Sequence, residues 1–126
     1  MNDTQKKVLI IEDDAQISKV YDIQLTKEGI ITMLAHNGEE AMILLAKDNP
    51  DIIILDLMIP RKDGFWVLNE IRQNHEYSDV PVVVISNLGQ DVDRARAMEL
   101  GATEYLVKID NSIQSIVDKV KGYIGV

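Results

Sequence analysis

The sequence predicts an α/β domain in which a parallel sheet is covered by helices on both faces. Three observations carry that prediction. Short apolar runs rich in β-branched residues recur along the chain, each is followed by a stretch of helical spacing, and 126 residues give room for one domain of ordinary size. Crossovers that return each strand parallel to the last are right-handed, and they place a ligand site at the carboxyl ends of the strands.

Val8–Ile11 is the first strand, a continuous apolar run of the kind that a strand buried on both faces shows. After it, Ile17, Val20, Tyr21 and Leu25 recur at helical spacing, with Lys19, Asp22 and Lys27 elsewhere on the turn, and Gly29 stands where the helix would stop. A weaker run, Ile30–Ala35, gives the second strand, and Gly38–Lys47 a short helix rich in Ala and Leu. Ile52–Leu55 follows the Asn49-Pro50 break as the third strand. Its helix is spaced by Phe65, Leu68 and Ile71, with Asp63 as cap. Pro81 precedes the fourth strand, Val82–Ile85, and Asp91–Leu100 forms a helix ended by Gly101. Tyr105–Val107 is a weak fifth strand. The last helix has the clearest period, with Ile113, Ile116, Val117, Val120 and Ile124 on one face. Five βα units result, without repeat, low-complexity tract or linker, so residues 1–126 are read as one domain.

Composition narrows the function. With 46% hydrophobic and 27% charged residues, the chain matches an ordinary globular protein. A net charge of −8 and a pI of about 4.6 argue against nucleic acid or an anionic membrane as direct partner, since both call for clustered Lys and Arg. Cysteine is absent, which removes disulfides, thiolate metal sites and thiol nucleophiles and makes the cytoplasm the default location. No signal peptide is expected from the polar start, Met1 to Lys7, and no apolar run approaches the roughly 20 residues of a membrane helix.

Chemistry is concentrated where the strands end. The first strand runs into Glu12-Asp13-Asp14, the third into Asp56-Leu57-Met58-Ile59-Pro60, the fourth into Ser86-Asn87, and the fifth leads to Lys108. In a parallel sheet these meet on one edge, so three or four carboxylates, a hydroxyl and an ammonium would share a shallow site. Carboxylates this close repel one another unless a cation intervenes. Mg²⁺ suits such a site, because it takes one or two carboxylates and fills its other positions with water or phosphate oxygens, whereas the lack of His and Cys argues against zinc. A hard cation beside a carboxylate and a Lys is a composition for phosphoryl transfer.

Taken singly, each residue has a plainer reading. Acidic residues after a strand cap helices, Asp56 could form a turn, Ser86 could be an N-cap, and Lys108 could be a solvated side chain. Their joint placement is what departs from that.

The order and spacing of these pieces resemble the response-regulator receiver domains of two-component systems, the chemotaxis regulators among them. Val8 to Asp14 resembles the first strand and acid cluster of that family, Asp51 to Gly64 its phosphoacceptor strand and loop, and Val82–Ser86 with Gly101–Lys108 completes the set. The resemblance implies a flavodoxin-like doubly wound sheet of five parallel strands in the order 2-1-3-4-5, with five helices. It implies that Asp56 accepts a phosphoryl group from a histidine kinase or phosphotransferase. Asp13, Asp56 and the backbone carbonyl of Met58 would bind Mg²⁺, with Glu12 acting through water. Lys108 would neutralise the phosphoryl oxygens, and Ser86 would hydrogen-bond one of them. Drawing Ser86 in would let Tyr105 rotate inward and alter the face of the fourth helix, fifth strand and fifth helix, through which a second copy could also pair. The plainer reading of Tyr105 is a strand residue with its hydroxyl in water; Asp14 is left as a cap.

Two positions depart from the family pattern. Ile109 follows Lys108 where the family has a cis proline; since a cis bond before another residue costs about 3 kcal/mol, a trans bond is expected. Asn87 stands where the family has a very small residue, and its amide is expected to slow labelling by small phosphodonors. Three other functions compete. A haloacid-dehalogenase-type phosphatase needs a second Asp where Met58 stands. A flavin or nucleotide module needs a Gly- or Ser/Thr-rich loop where the acid cluster stands. A receiver-like interaction module would have lost the chemistry, whereas the acceptor, acid pair, hydroxyl and Lys are all present.

Overall fold

The computed structural model describes residues 5–87 and 91–126, so Met1–Thr4 of the polar start lie outside it. Five strands alternate with five helices: β1 (Lys7–Ile11), α1 (Ala15–Lys27), β2 (Ile31–Ala35), α2 (Gly38–Lys47), β3 (Ile52–Asp56), α3 (Gly64–Gln73), β4 (Val82–Ser86), α4 (Asp91–Glu99), β5 (Glu104–Val107) and α5 (Ile113–Ile124). The sheet is parallel with order β2-β1-β3-β4-β5, the doubly wound arrangement expected. Its order reverses direction at β1, so β1 and β3 lie side by side and their carboxyl ends open into the crevice where such sheets bind ligands.

Alternation along each strand divides the core in two. Leu9, Ile11, Ile53, Leu55, Val82, Val84 and Tyr105 face the side covered by α2, α3 and α4. Val8, Ile10, Ile52, Ile54, Val83, Ile85 and Leu106 face α1 and α5. All five residues of β3 and of β4 are buried, which explains why these strands read as unbroken apolar runs.

The helices start where short polar side chains can satisfy free backbone N–H groups. Asp14 caps α1 by accepting from Gln16 and Ile17, Asp63 caps α3 by accepting from Trp66, and Ser112 caps α5 by accepting from Ser115. Two local expectations are corrected. Val20 is 38% exposed, whereas Ser18 is buried on α1 together with Tyr21 and Leu25. Ile30 does not join β2; its N–H bonds Leu25 O across Gly29, which takes the left-handed conformation that ends α1.

Behind the acid cluster, the loop between β3 and α3 is locked by a close approach. A Cβ on Gly64 would fall 2.5 Å from Leu57 Cα and 2.9 Å from Asp56 O, and neither backbone atom can yield without moving the end of β3. Among the described residues no helix is long and apolar enough to cross a membrane.

A paired substitution tests this account of the loop. Gly64→Ala should destabilise by roughly 1–3 kcal/mol through overpacking. Gly122→Ala, on α5 with nothing within 4 Å of the new Cβ, should stabilise by roughly 0.5–1 kcal/mol. Urea denaturation midpoints of the two variants give both signs.

Candidate functional site

The acid cluster is assembled by β1 and β3, which end side by side, and Lys108 arrives from the end of β5, two strands away. Glu12 directly follows β1, and Asp56 is the last residue of β3. Both are nearly withdrawn from water, at 1% and 3% exposure, while Asp13 between them in sequence is exposed. Two carboxylates buried this way need compensation. Lys108 Nζ supplies it, donating to Glu12 Oε1 and to Asp56 Oδ2 at 2.9 Å each. The other oxygens are held by the backbone, since Met58 N–H donates to Asp56 Oδ1 at 3.0 Å and Asp14 N–H to Glu12 Oε2 at 3.2 Å.

The electrostatics follow from burial and charge together. Burial pushes the Glu12 carboxyl above its ordinary range and the Asp56 charge adds to that, against the pull of Lys108 and the Asp14 N–H. For Lys108, burial works to lower the pKa, but the hydrogen bonds and charges of Asp56 and Glu12 outweigh it and hold the ammonium above its ordinary value. The site therefore keeps its cation and bears an excess of negative charge.

Glu12, Asp13 and Asp56 each offer a carboxylate oxygen, all within 4.8 Å of one another. A set of hard oxygen donors with excess negative charge and no His or Cys fits Mg²⁺ in kind. The cluster opens into a depression lined also by Asp14, Ile17, Met58, Asn87 and Lys108. The four carboxylates of the sequence reading thus do lie together, but Asp14 is committed to capping α1.

Ser86 is fully buried at the end of β4 and does not line the depression. It touches Tyr105: burial raises the Tyr105 phenol, and a hydrogen bond with Ser86 pulls it back. Tyr105 is only 4% exposed, so the plainer reading with the hydroxyl in water does not describe it. The Lys108–Ile109 bond is trans, as expected, and Lys108–Asp110 form a single 3-10 turn.

One residue at this end of the sheet escaped the sequence reading. Arg94, on α4, places its guanidinium 4.8 Å from the centre of the Tyr105 ring and donates to Tyr105 O at 3.1 Å. A long side chain on an exposed helix face carries no spacing signal that could have revealed this.

With this geometry in view, comparison with known proteins is direct. Residues 8–121 match the response regulator receiver domain family. A probable transcriptional regulator ycf27 of Guillardia theta is 42% identical over 106 residues, covering 84% of this chain and 41% of that protein. The transcriptional regulatory protein CpxR of Klebsiella pneumoniae is 35% identical over 118 residues, covering 94% and 49%. Among solved structures, the receiver domain of the Francisella response regulator 1452 superposes with a TM-score of 0.86 at 29% identity, covering 96% of this chain and 98% of that one. The phosphorylated cyanobacterial phytochrome response regulator RcpA gives 0.81 at 29% identity, covering 94% and 90%.

A parallel sheet in this order, carrying a carboxylate cluster at its carboxyl edge, defines a receiver of the two-component type. The chain belongs to the response regulator receiver domain family. It spans about half the length of the curated relatives it matches.

The raised Glu12 carboxyl makes a prediction for the metal-free protein. Its burial costs nothing at a pH below the ordinary carboxyl range, where folded and unfolded chains both hold the proton. The cost grows as pH rises through the gap and is complete above the raised value. Glu12→Gln should therefore raise stability at neutral pH, and the gain should vanish in acid below the ordinary range. Thermal melts of wild type and variant across pH, with chelator present, check it.

Proposed function

We propose that the chain is a phosphoryl acceptor in a phosphorelay, taking the group onto Asp56 from a phosphohistidine of a sensor kinase or phosphotransferase. The observation that carries this reading is the contact of Lys108 with both Glu12 and Asp56 beside exposed Asp13, which joins an acceptor, a fixed cation and a hard-metal donor set. Asp13, Asp56 and the Met58 carbonyl would hold Mg²⁺, with Glu12 behind them. When bound, the ion supplies charge neutralisation for the transferring group and its attacking oxygen.

Asp56 acts as the nucleophile: a carboxylate oxygen forms the O–P bond while the P–N bond to the donor imidazole breaks, leaving an acyl phosphate. Its pose is fixed beforehand by Met58 N–H on one oxygen and Lys108 on the other, which lowers the orientational cost of the step. Lys108 then follows the growing charge onto the phosphoryl oxygens. Ser86 would move to bond one of them, loosening its tie to Tyr105 and changing the α4-β5-α5 face.

Signalling rather than turnover of a separate substrate is the activity in this reading, and the cytoplasm its setting. The two curated relatives named above are transcriptional regulators, so a transcriptional output is proposed for this receiver. A second copy pairing through the α4-β5-α5 face is the proposed means.

Labelling by a phosphorylated kinase separates a working acceptor from an interaction module that keeps only the fold. Asp56→Asn should abolish labelling that is sensitive to hydroxylamine and alkali; full labelling of that variant would mean the acceptor is misassigned. Asn87 lines the depression and is exposed, so Asn87→Ala should speed labelling by acetyl phosphate while leaving labelling by the kinase nearly unchanged. Equal acetyl phosphate rates would remove the role given to the amide.

A further inference from the structure

Met58 lines the depression but is 57% exposed, so its backbone carbonyl is fixed by its neighbours in the loop between β3 and α3 rather than by burial of its side chain. On the near side, the Met58 N–H is tied to Asp56 Oδ1 at 3.0 Å. On the far side the chain runs through buried Ile59 and Pro60 into Arg61 and Lys62, which stand at φ 51° and 74°. Two consecutive residues with a Cβ in the left-handed region are strained, and such backbone persists only where its surroundings determine it.

Those surroundings are the start of α2. A Cβ on Gly38, the first residue of that helix, would fall 2.2 Å from Lys62 O, 2.8 Å from Arg61 O and 2.9 Å from Lys62 Cβ. Both carbonyls of the strained pair therefore rest against the one position on α2 that has no side chain. The Gly38 N–H also donates to Pro60 O at 3.4 Å, and Glu39 Oε1 pairs with Arg61 Nε at 2.9 Å. Pro60, Arg61 and Lys62 are thus all held by the first two residues of α2.

We propose that Gly38 is a positioning residue for the cation site: its bare Cα lets the loop sit against α2 in the left-handed backbone that sets the Met58 carbonyl. This rests on the reading of that carbonyl as a ligand of Mg²⁺. A side chain at position 38 pushes the Arg61 and Lys62 carbonyls away. The displacement reaches Met58 through a stiff Ile59-Pro60 link, since proline fixes its own φ and holds the residue before it extended. Loss of a group that orients a metal's direct ligands lowers affinity by about ten- to a hundredfold, and an exposed loop that partly relaxes puts Gly38 at the lower end of that range.

The test uses the whole chain with ¹³C-carbonyl methionine and ¹⁵N isoleucine, so that only the Met42-Ile43 and Met58-Ile59 bonds give carbon–nitrogen coupled peaks, told apart by Met42→Leu. In the wild type, the Met58 carbonyl should shift saturably with Mg²⁺. Gly38→Ala should raise the midpoint of that titration about tenfold. Lys62→Gly alone should stay within about twofold of wild type, because the backbone of residue 62 makes the closest contact. Added to Gly38→Ala, it should recover part of the loss, since it removes the Cβ at 2.9 Å and lets the carbonyl of residue 62 swing clear while Met58 keeps its place. The double variant should still bind less tightly than Lys62→Gly, and that comparison decides the matter if Gly38→Ala alone does not fold. A wild-type midpoint in Gly38→Ala overturns the proposal. So does a double variant that recovers nothing, which places the damage in α2, and so does an equal loss in Lys62→Gly alone, which gives the role to that side chain. A wild-type Met58 carbonyl that stays still while the Asp13 amide of the uniformly labelled chain titrates overturns the ligand reading itself, and it is told apart because no variant is needed to see it.

Discussion

The rest of the structure depends on one ammonium group. Lys108 Nζ lies between Glu12 and Asp56, two carboxylates that the fold takes almost completely out of water. Removing the Lys108 ammonium from such a buried arrangement would cost roughly 3–5 kcal/mol, because the two carboxylates left behind would have no counter-charge and little water. The contact also fastens β5 to β1 and β3 across the end of the sheet, joining elements 96 and 52 residues apart in sequence. The position of Asp56 and the closure of the carboxyl edge are thus set by the same bonds.

That arrangement leaves the site short of positive charge. One ammonium faces three clustered carboxylates, and the raised Glu12 carboxyl registers the deficit. A stable core would not retain such an imbalance without use, because apolar replacements of similar volume are often neutral or stabilising. A divalent cation would offset it and leave the site able to take on the negative charge of a phosphoryl group, and Asp13, which is exposed, is the carboxylate positioned to be recruited without further desolvation.

Much of this was legible in the sequence because topology turns distance along the chain into proximity. Strands β1, β3 and β4 announce themselves as unbroken apolar runs since both their faces are covered, and parallel pairing then brings Glu12, Asp56 and Lys108 to one rim. Asp63 and Asp14 were legible as caps because a short acceptor before a helical period has a local reason to be there. What failed to show had no periodic signature. Ser18 is buried on α1 although its hydropathy does not mark it as an inward residue. Ile30 was claimed by the end of α1 before the strand could use it. The Arg94–Tyr105 contact joins a helix to an edge strand, which alternation cannot encode.

The central claim is that Asp13 and Asp56 hold a divalent cation at the carboxyl edge, within reach of Lys108. Titration of the chain with Mg²⁺ followed by amide NMR tests it most directly. The account predicts saturable shifts centred on Glu12, Asp13, Asp56 and Met58 that are lost in Asp13→Asn. Shifts scattered over the acidic surface, or an unchanged response in Asp13→Asn, would contradict it.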